Sequence, residues 1–95
     1  MTSIFSMRVS VPPTTLSQEL EGQVVLLNLK NEYYYSLNPV GSQMWNLLST
    51  HDNLETVYQE LLKKYLVDES TIRQDLASLV EELTTEGLLT ITSSI

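Results

Sequence analysis

At 95 residues the chain suits one domain, and 42% hydrophobic content can build one modest core but not a large cofactor cavity as well. It has no cysteine, which excludes disulfides, thiolate zinc sites and redox motifs. Five basic against 12 acidic residues give a net charge of −7, which repels nucleic-acid phosphates and anionic membranes and favours neutral or basic partners.

Residues 1–8 lack a basic head leading into a long apolar run, so no signal peptide is expected. The longest wholly apolar run, Val24 to Leu27, is far too short to span a bilayer. A cytoplasmic protein without membrane contact is the expectation. Residues 1–13 alternate loosely through Ile4, Met7, Val9 and Val11 and stop at Pro12-Pro13, two residues that cannot donate to a β ladder. They read as an extended N-terminal arm.

A β region follows. Thr14 to Leu20 is β-compatible, Glu21-Gly22 is a turn signal, Gln23 to Leu29 is densely apolar, Lys30-Asn31 breaks it, and Glu32 to Leu37 carries three consecutive tyrosines. Strand, turn, strand, turn, strand predicts a three-stranded antiparallel meander.

At Asn38-Pro39 the period changes. Asn38 can cap a helix and Pro39 suits its first position, with Val40, Met44, Leu47 and Leu48 on the apolar side and the end near Ser49 to Asp52. Trp45 is expected to anchor the core. Asn53 caps a second helix whose apolar face is Leu54, Val57, Tyr58, Leu61, Leu62 and Tyr65. Asp68 caps a third and longer one, where Ile72, Leu76, Leu79, Val80 and Leu83 share a face and Gly87 ends the run. Leu88 to Ile91 either add a short strand or pack back, and residues 92–95 are expected to fray. Strands segregated from helices predict an α+β domain over residues 14–91: a three-stranded antiparallel sheet followed by three helices, arranged as a winged helix-turn-helix.

Recognisable catalytic chemistry is missing. His51 is the single histidine and sits in a polar loop, reading as a solvated residue rather than a metal ligand. The three glycines, Gly22, Gly41 and Gly87, are too widely spaced for a phosphate-cradling loop. Glu81, Glu82 and Glu86 read as a solvated helix face. No enzyme activity, cofactor or metal is expected. The fold invites a rival reading as a DNA-binding transcriptional regulator. However, the third helix sets Glu69, Asp75, Glu81, Glu82 and Glu86 against Arg73 alone, the wrong sign for a groove-reading helix, so no nucleic-acid partner is expected.

The run from Val25 to Gly41, with its apolar strand, polar turn, Tyr33-Tyr34-Tyr35 and Leu37-Asn38-Pro39-Val40-Gly41, resembles the signature of the PqqD-like family. The likeness continues through Trp45, Leu47, Leu48, Val57, Tyr65, Asp75 and Leu79 to Gly87-Leu88-Leu89. It leans toward the broader family, including lasso-peptide proteins, rather than the pyrroloquinoline quinone member. The resemblance implies a RiPP recognition element, a domain that binds the leader segment of a ribosomally synthesised precursor peptide. Such a domain presents the leader to a processing enzyme, either a leader peptidase or a radical SAM enzyme.

Carried onto this sequence, the resemblance implies a leader lying as an added strand on Tyr33, Tyr34, Tyr35 and Ser36. The third helix would face it with Ile72, Arg73, Leu76 and Val80. Each assignment has a plainer rival. Strand alternation puts Tyr33 and Tyr35 on one face and Tyr34 on the other, and at least one tyrosine of each parity is expected simply to pack. Ile72, Leu76 and Val80 read first as an ordinary core stripe, because that helix must hold the fold. Arg73, the lone cation, could instead pair with Glu69 on the surface. An unprotected tyrosine edge also leaves open a monomer or an edge-paired dimer.

Overall fold

The computed structural model describes residues 6–65 and 68–93; Ile4 of the expected arm and Ser94 and Ile95 of the expected frayed end lie outside them. The elements are β1 (Met7–Ser10), β2 (Thr15–Leu20), β3 (Gln23–Asn28), β4 (Tyr33–Ser36), α1 (Pro39–Leu48), α2 (Leu54–Lys64), α3 (Glu69–Thr85) and β5 (Thr90–Ser93). The class is α+β: an antiparallel sheet ordered β2-β3-β4 followed by three helices, with a separate two-stranded sheet of β1 and β5.

Turn chemistry sets the meander. Leu20 pairs with Gln23, so Glu21 and Gly22 form a two-residue loop, with φ of 52° and 81°. Positive φ at both positions is what a hairpin needs to follow the strand twist. The second loop is organised by Asn28, which is buried although polar. Its side-chain oxygen accepts from Lys30 N–H at 2.9 Å, and its carbonyl accepts from Glu32 N–H at 2.7 Å. Its amide donates to the Glu86 carbonyl at 2.9 Å, tying the tip of the meander to the end of α3.

The helices start where capping residues allow. Asn38 accepts from Gly41 N–H at 2.7 Å, and Asn53 accepts from Glu55 and Thr56 N–H at 2.9 and 3.3 Å. Asp68 occupies the cap position of α3 without a capping bond and takes the Ser70 hydroxyl instead. Past α3, Gly87 adopts φ 73°, Leu88 N–H reaches the Leu83 carbonyl at 2.8 Å and Gly87 N–H reaches Thr84 at 3.1 Å. That paired closure satisfies the last carbonyls and turns the chain back.

One core joins these elements: Leu26 of β3, Met44, Trp45 and Leu48 of α1, Val57 and Leu61 of α2, Ile72, Leu76, Val80 and Leu83 of α3, and Leu88-Leu89. Ser42 is fully buried among them, its hydroxyl oxygen accepting from Val24 N–H at 2.8 Å and so fixing α1 to β3.

The expected arm and tail meet. Within the extended arm β1 pairs antiparallel with β5 from Met7↔Ser93 to Ser10↔Thr90. The chain does not fray from Thr92, since β5 continues through Ser93. The reason is mutual. Neither segment has a local ladder partner, and pairing satisfies both backbones while Val9 is buried and Ile91 packs against the core. Among the described residues no helix is long and apolar enough to cross a membrane.

Candidate functional site

β4 is an edge strand, and its free side can be read from its bonded side. Leu37 N–H donates to the Val24 carbonyl at 2.9 Å. Bonded and unbonded pairs alternate in an antiparallel ladder, so Tyr35 with Leu26 is the next bonded pair. Tyr34 and Ser36 fall between these pairs and aim their N–H and C=O groups away from β3. Among the described residues no strand pairs with that outer edge. The outer edge of β2 is open as well, but its residues from Leu16 to Leu20 are all exposed, leaving a guest little to pack against.

Side-chain parity follows the register. Tyr33 and Tyr35 lie opposite the buried Asn28 and Leu26, on the helix side, whereas Tyr34 and Ser36 lie opposite Leu27 and Val25 on the other face. Tyr35 is half-buried and packs against the core. Tyr33 is 68% exposed and Tyr34 69%. The expectation that one tyrosine of each parity packs therefore fails for Tyr34, the only one on its face. It stands beside Leu16 and Leu27 over a shallow apolar depression.

Between β4 and α3 runs a groove of about 420 Å³, closed at one end by the start of α1. β4 and the residues after it contribute Tyr35, Ser36, Leu37 and Asn38, α1 contributes Val40, Gly41 and Met44, and α3 contributes Asp75, Ser78, Leu79 and Glu82. Gly41 suits this corner, because an added Cβ would come within 3.2 Å of the Asn38 capping oxygen. The Tyr35 hydroxyl donates to the Glu82 carboxylate across the groove. A second cleft continues beyond that bridge, lined by Tyr35, Ser78, Glu81, Glu82, Thr85 and Glu86. The hydrogen bond to Glu82, then burial, then the charges of Glu82 and Glu86 push the Tyr35 phenol up to about 12.

The residues expected on the helical side fall elsewhere. Ile72, Leu76 and Val80 are 3%, 0% and 0% exposed, inside the core and out of reach of a ligand in the groove. Their stripe is what holds α3 to the domain. Arg73 is exposed, with its guanidinium 5.4 Å from the centre of the Tyr58 ring, so it points toward α2 and away from β4. The structure thus brings the four β4 residues together and separates them from the four on α3.

In place of those four, Asp75, Ser78, Leu79 and Glu82 face β4. Sequence reasoning puts Glu82 on a solvated face, Leu79 on the core stripe and Val40 on the apolar side of α1; Val40 is in fact 39% exposed at the groove. A signal was present. Residues 75, 78, 79 and 82 recur as i, i+3, i+4 and i+7, a second helical face of mixed polarity flanking the apolar one. Among the described residues no group of three or more His, Asp or Glu side chains could hold a metal ion.

Comparison with known proteins bears on the same region. The family model of coenzyme PQQ synthesis protein D (PqqD) matches residues 23–89, which hold the whole groove. A solved structure of TbiB1 in complex with the TbiA(beta) leader peptide is similar over 84% of this chain and 93% of its own. Its identity is 30% and its TM-score 0.79. A lasso peptide synthetase B1 complexed with the leader peptide shares the fold over 90% of this chain and 98% of its own, at 24% identity and a TM-score of 0.74. No curated protein matches. With more than half of its residues matched by the family model and a 30%-identical relative covered almost end to end, this chain belongs to the PqqD family.

Proposed function

We propose that this protein is a RiPP recognition element that binds the leader segment of a ribosomally synthesised precursor peptide by β-strand addition to β4. The observation carrying this reading is the open edge of β4 beside the groove. Strand addition needs unpaired backbone groups for a ladder and a lined cleft for alternate side chains, and Tyr34 and Ser36 supply the first while the β4–α3 groove supplies the second. That two similar structures hold leader peptides supports the reading.

In this reading the guest becomes the fourth strand of the sheet. Its side chains of one parity enter the groove between Tyr35, Leu79 and Glu82, and those of the other lie beside Tyr34. The fold is a winged helix-turn-helix whose third helix is too acidic for DNA and serves as a groove wall instead. The protein works in the cytoplasm as a non-catalytic adaptor, presenting the leader to a processing enzyme of the lasso leader-peptidase kind.

Fluorescence polarisation with labelled leader segments of precursors encoded beside this gene tests the proposal. The informative variant is Ser36→Pro, since proline is tolerated on an edge strand where its missing N–H faces solvent. It should leave the melting temperature nearly unchanged and weaken leader binding about ten-fold or more, through the lost donor and the ring in its place. Unchanged affinity in folded Ser36→Pro would reject strand addition. Failure of every leader segment to bind would reject the whole reading.

A further inference from the structure

The groove wall facing β4 carries only one sign of charge. Asp75 and Glu82 line the main groove, and Glu81, Glu82 and Glu86 line its continuation, with no lysine, arginine or histidine on either. Glu82 is common to both stretches, and there the Tyr35 hydroxyl bridges the cleft. The bridge stands where a strand added to β4 would send a side chain, because Tyr35 shares the groove face and its neighbours Tyr34 and Ser36 offer the ladder. Any guest must pass beside this phenol or displace it.

A neutral phenol is a weaker partner for a carboxylate than an ammonium or guanidinium group. Glu86 lies one helical turn beyond Glu82, on the same side of α3, and adds to the negative field there. Resting on the leader-binding reading above, we propose that the groove selects its guest by a basic side chain. A lysine or arginine of the incoming strand takes over Glu82 from the Tyr35 hydroxyl, so the preferred occupant is an extended precursor segment with a cation at one fixed position. The Tyr35–Glu82 bridge holds the carboxylate in place until that cation arrives. An uncharged guest would leave the carboxylates confined beside a peptide with no partner of opposite sign, which works against neutral and acidic sequences.

A displayed library of random peptides, selected on the full chain and on folded Glu82→Lys and Glu82→Gln, tests this. Wild-type selection should enrich lysine or arginine at a single position, and Glu82→Lys should replace them with aspartate or glutamate there. For one selected basic peptide, Glu82→Gln should weaken binding roughly three- to ten-fold, with the loss shrinking at high salt. Tyr35→Phe should tighten the same peptide, since nothing then has to be displaced. Melting curves of each variant confirm that the fold is intact, as expected for the exposed side chain of Glu82. Selected peptides with no basic position, or no inversion with Glu82→Lys, would overturn the charge selection while leaving leader binding standing. Enrichment of no peptide at all would overturn both.

Discussion

β1 and β4 are both four-residue strands, yet the chain employs them in opposite ways. β1 is engaged along both sides. β5 pairs with one, and on the other Val9 N–H donates to the Asp52 carbonyl at 2.9 Å while Arg8 bridges to Asn53. Among the described residues β4 pairs in a ladder with β3 alone, and Tyr33 and Tyr34 are largely exposed. An open edge is a hazard that proteins ordinarily cover, often with a spare segment of their own. This chain has such segments and pairs them with each other. Among the described residues β1 and β5 satisfy one another, and no strand covers the outer edge of β4.

Proline gives the sharpest way to break this comparison. Val9→Pro removes a donor that is bonded to Asp52 and a side chain that is buried, and is expected to cost roughly 3–5 kcal/mol in urea unfolding. Ser36→Pro, on the edge that no described strand pairs with, should cost less than about 1 kcal/mol. Equal losses would mean that the two edges are alike and that the edge of β4 is engaged within the chain.

The next contrast is between the inner and outer sides of the candidate site. Leu76→Ala should destabilise the domain by about 3 kcal/mol and act on peptide binding only through unfolding. Tyr34→Ala should barely move the unfolding midpoint and should weaken binding directly, because Tyr34 packs against little of its own chain. Ser42→Ala comes next, at about 1–3 kcal/mol, since it strips the acceptor from the buried Val24 N–H and loosens α1 from the sheet that presents β4. A thermal or urea series on the three variants checks the order.

These contrasts also mark what the sequence could reveal. Elements governed by neighbours along the chain were legible: the meander from its turns, the helix starts at Asn38, Asn53 and Asp68, and the closing Gly87. What depends on distant partners was not. Loose alternation in Met7–Ser10 carries no sign that Thr90–Ser93 will pair with it. The apolar stripe of α3 could not say whether it faced core or groove, because periodicity defines a face and not its neighbour. The groove wall of Asp75, Ser78 and Glu82 is hidden for the same reason, since a polar face looks solvated until β4 is set against it. Ser42 gave no signal at all; a lone serine on a helix shows nothing of the Val24 N–H it serves.

A smaller effect concerns Tyr35, on the inner side of the strand. Its phenol is pushed up to about 12, first by the bond to Glu82, then by burial and by the charges of Glu82 and Glu86. The folded state therefore holds this proton more tightly than the unfolded chain. The stabilisation is fully present below the ordinary tyrosine value near 10, fades as pH rises, and is lost on passing about 12. Absorbance titration should show a late tyrosine step that Tyr35→Phe removes. The absence of any late step would deny the bridge to Glu82.

The smallest expected effect lies at the far end of the meander. Glu21 holds φ 52° in the β2–β3 turn, a conformation that side chains with a Cβ adopt reluctantly and asparagine tolerates best. Glu21→Asn would make the turn Asn-Gly and should stabilise the domain by roughly 0.5 kcal/mol. The turn joins β2 to β3 and borders neither the groove nor the outer edge of β4, so peptide affinity should stay unchanged while the unfolding midpoint rises. A stabilised variant with altered affinity would show that the sheet moves as a unit when its edge is filled. Unaltered affinity would mean that the β2–β3 turn is uncoupled from the outer edge of β4.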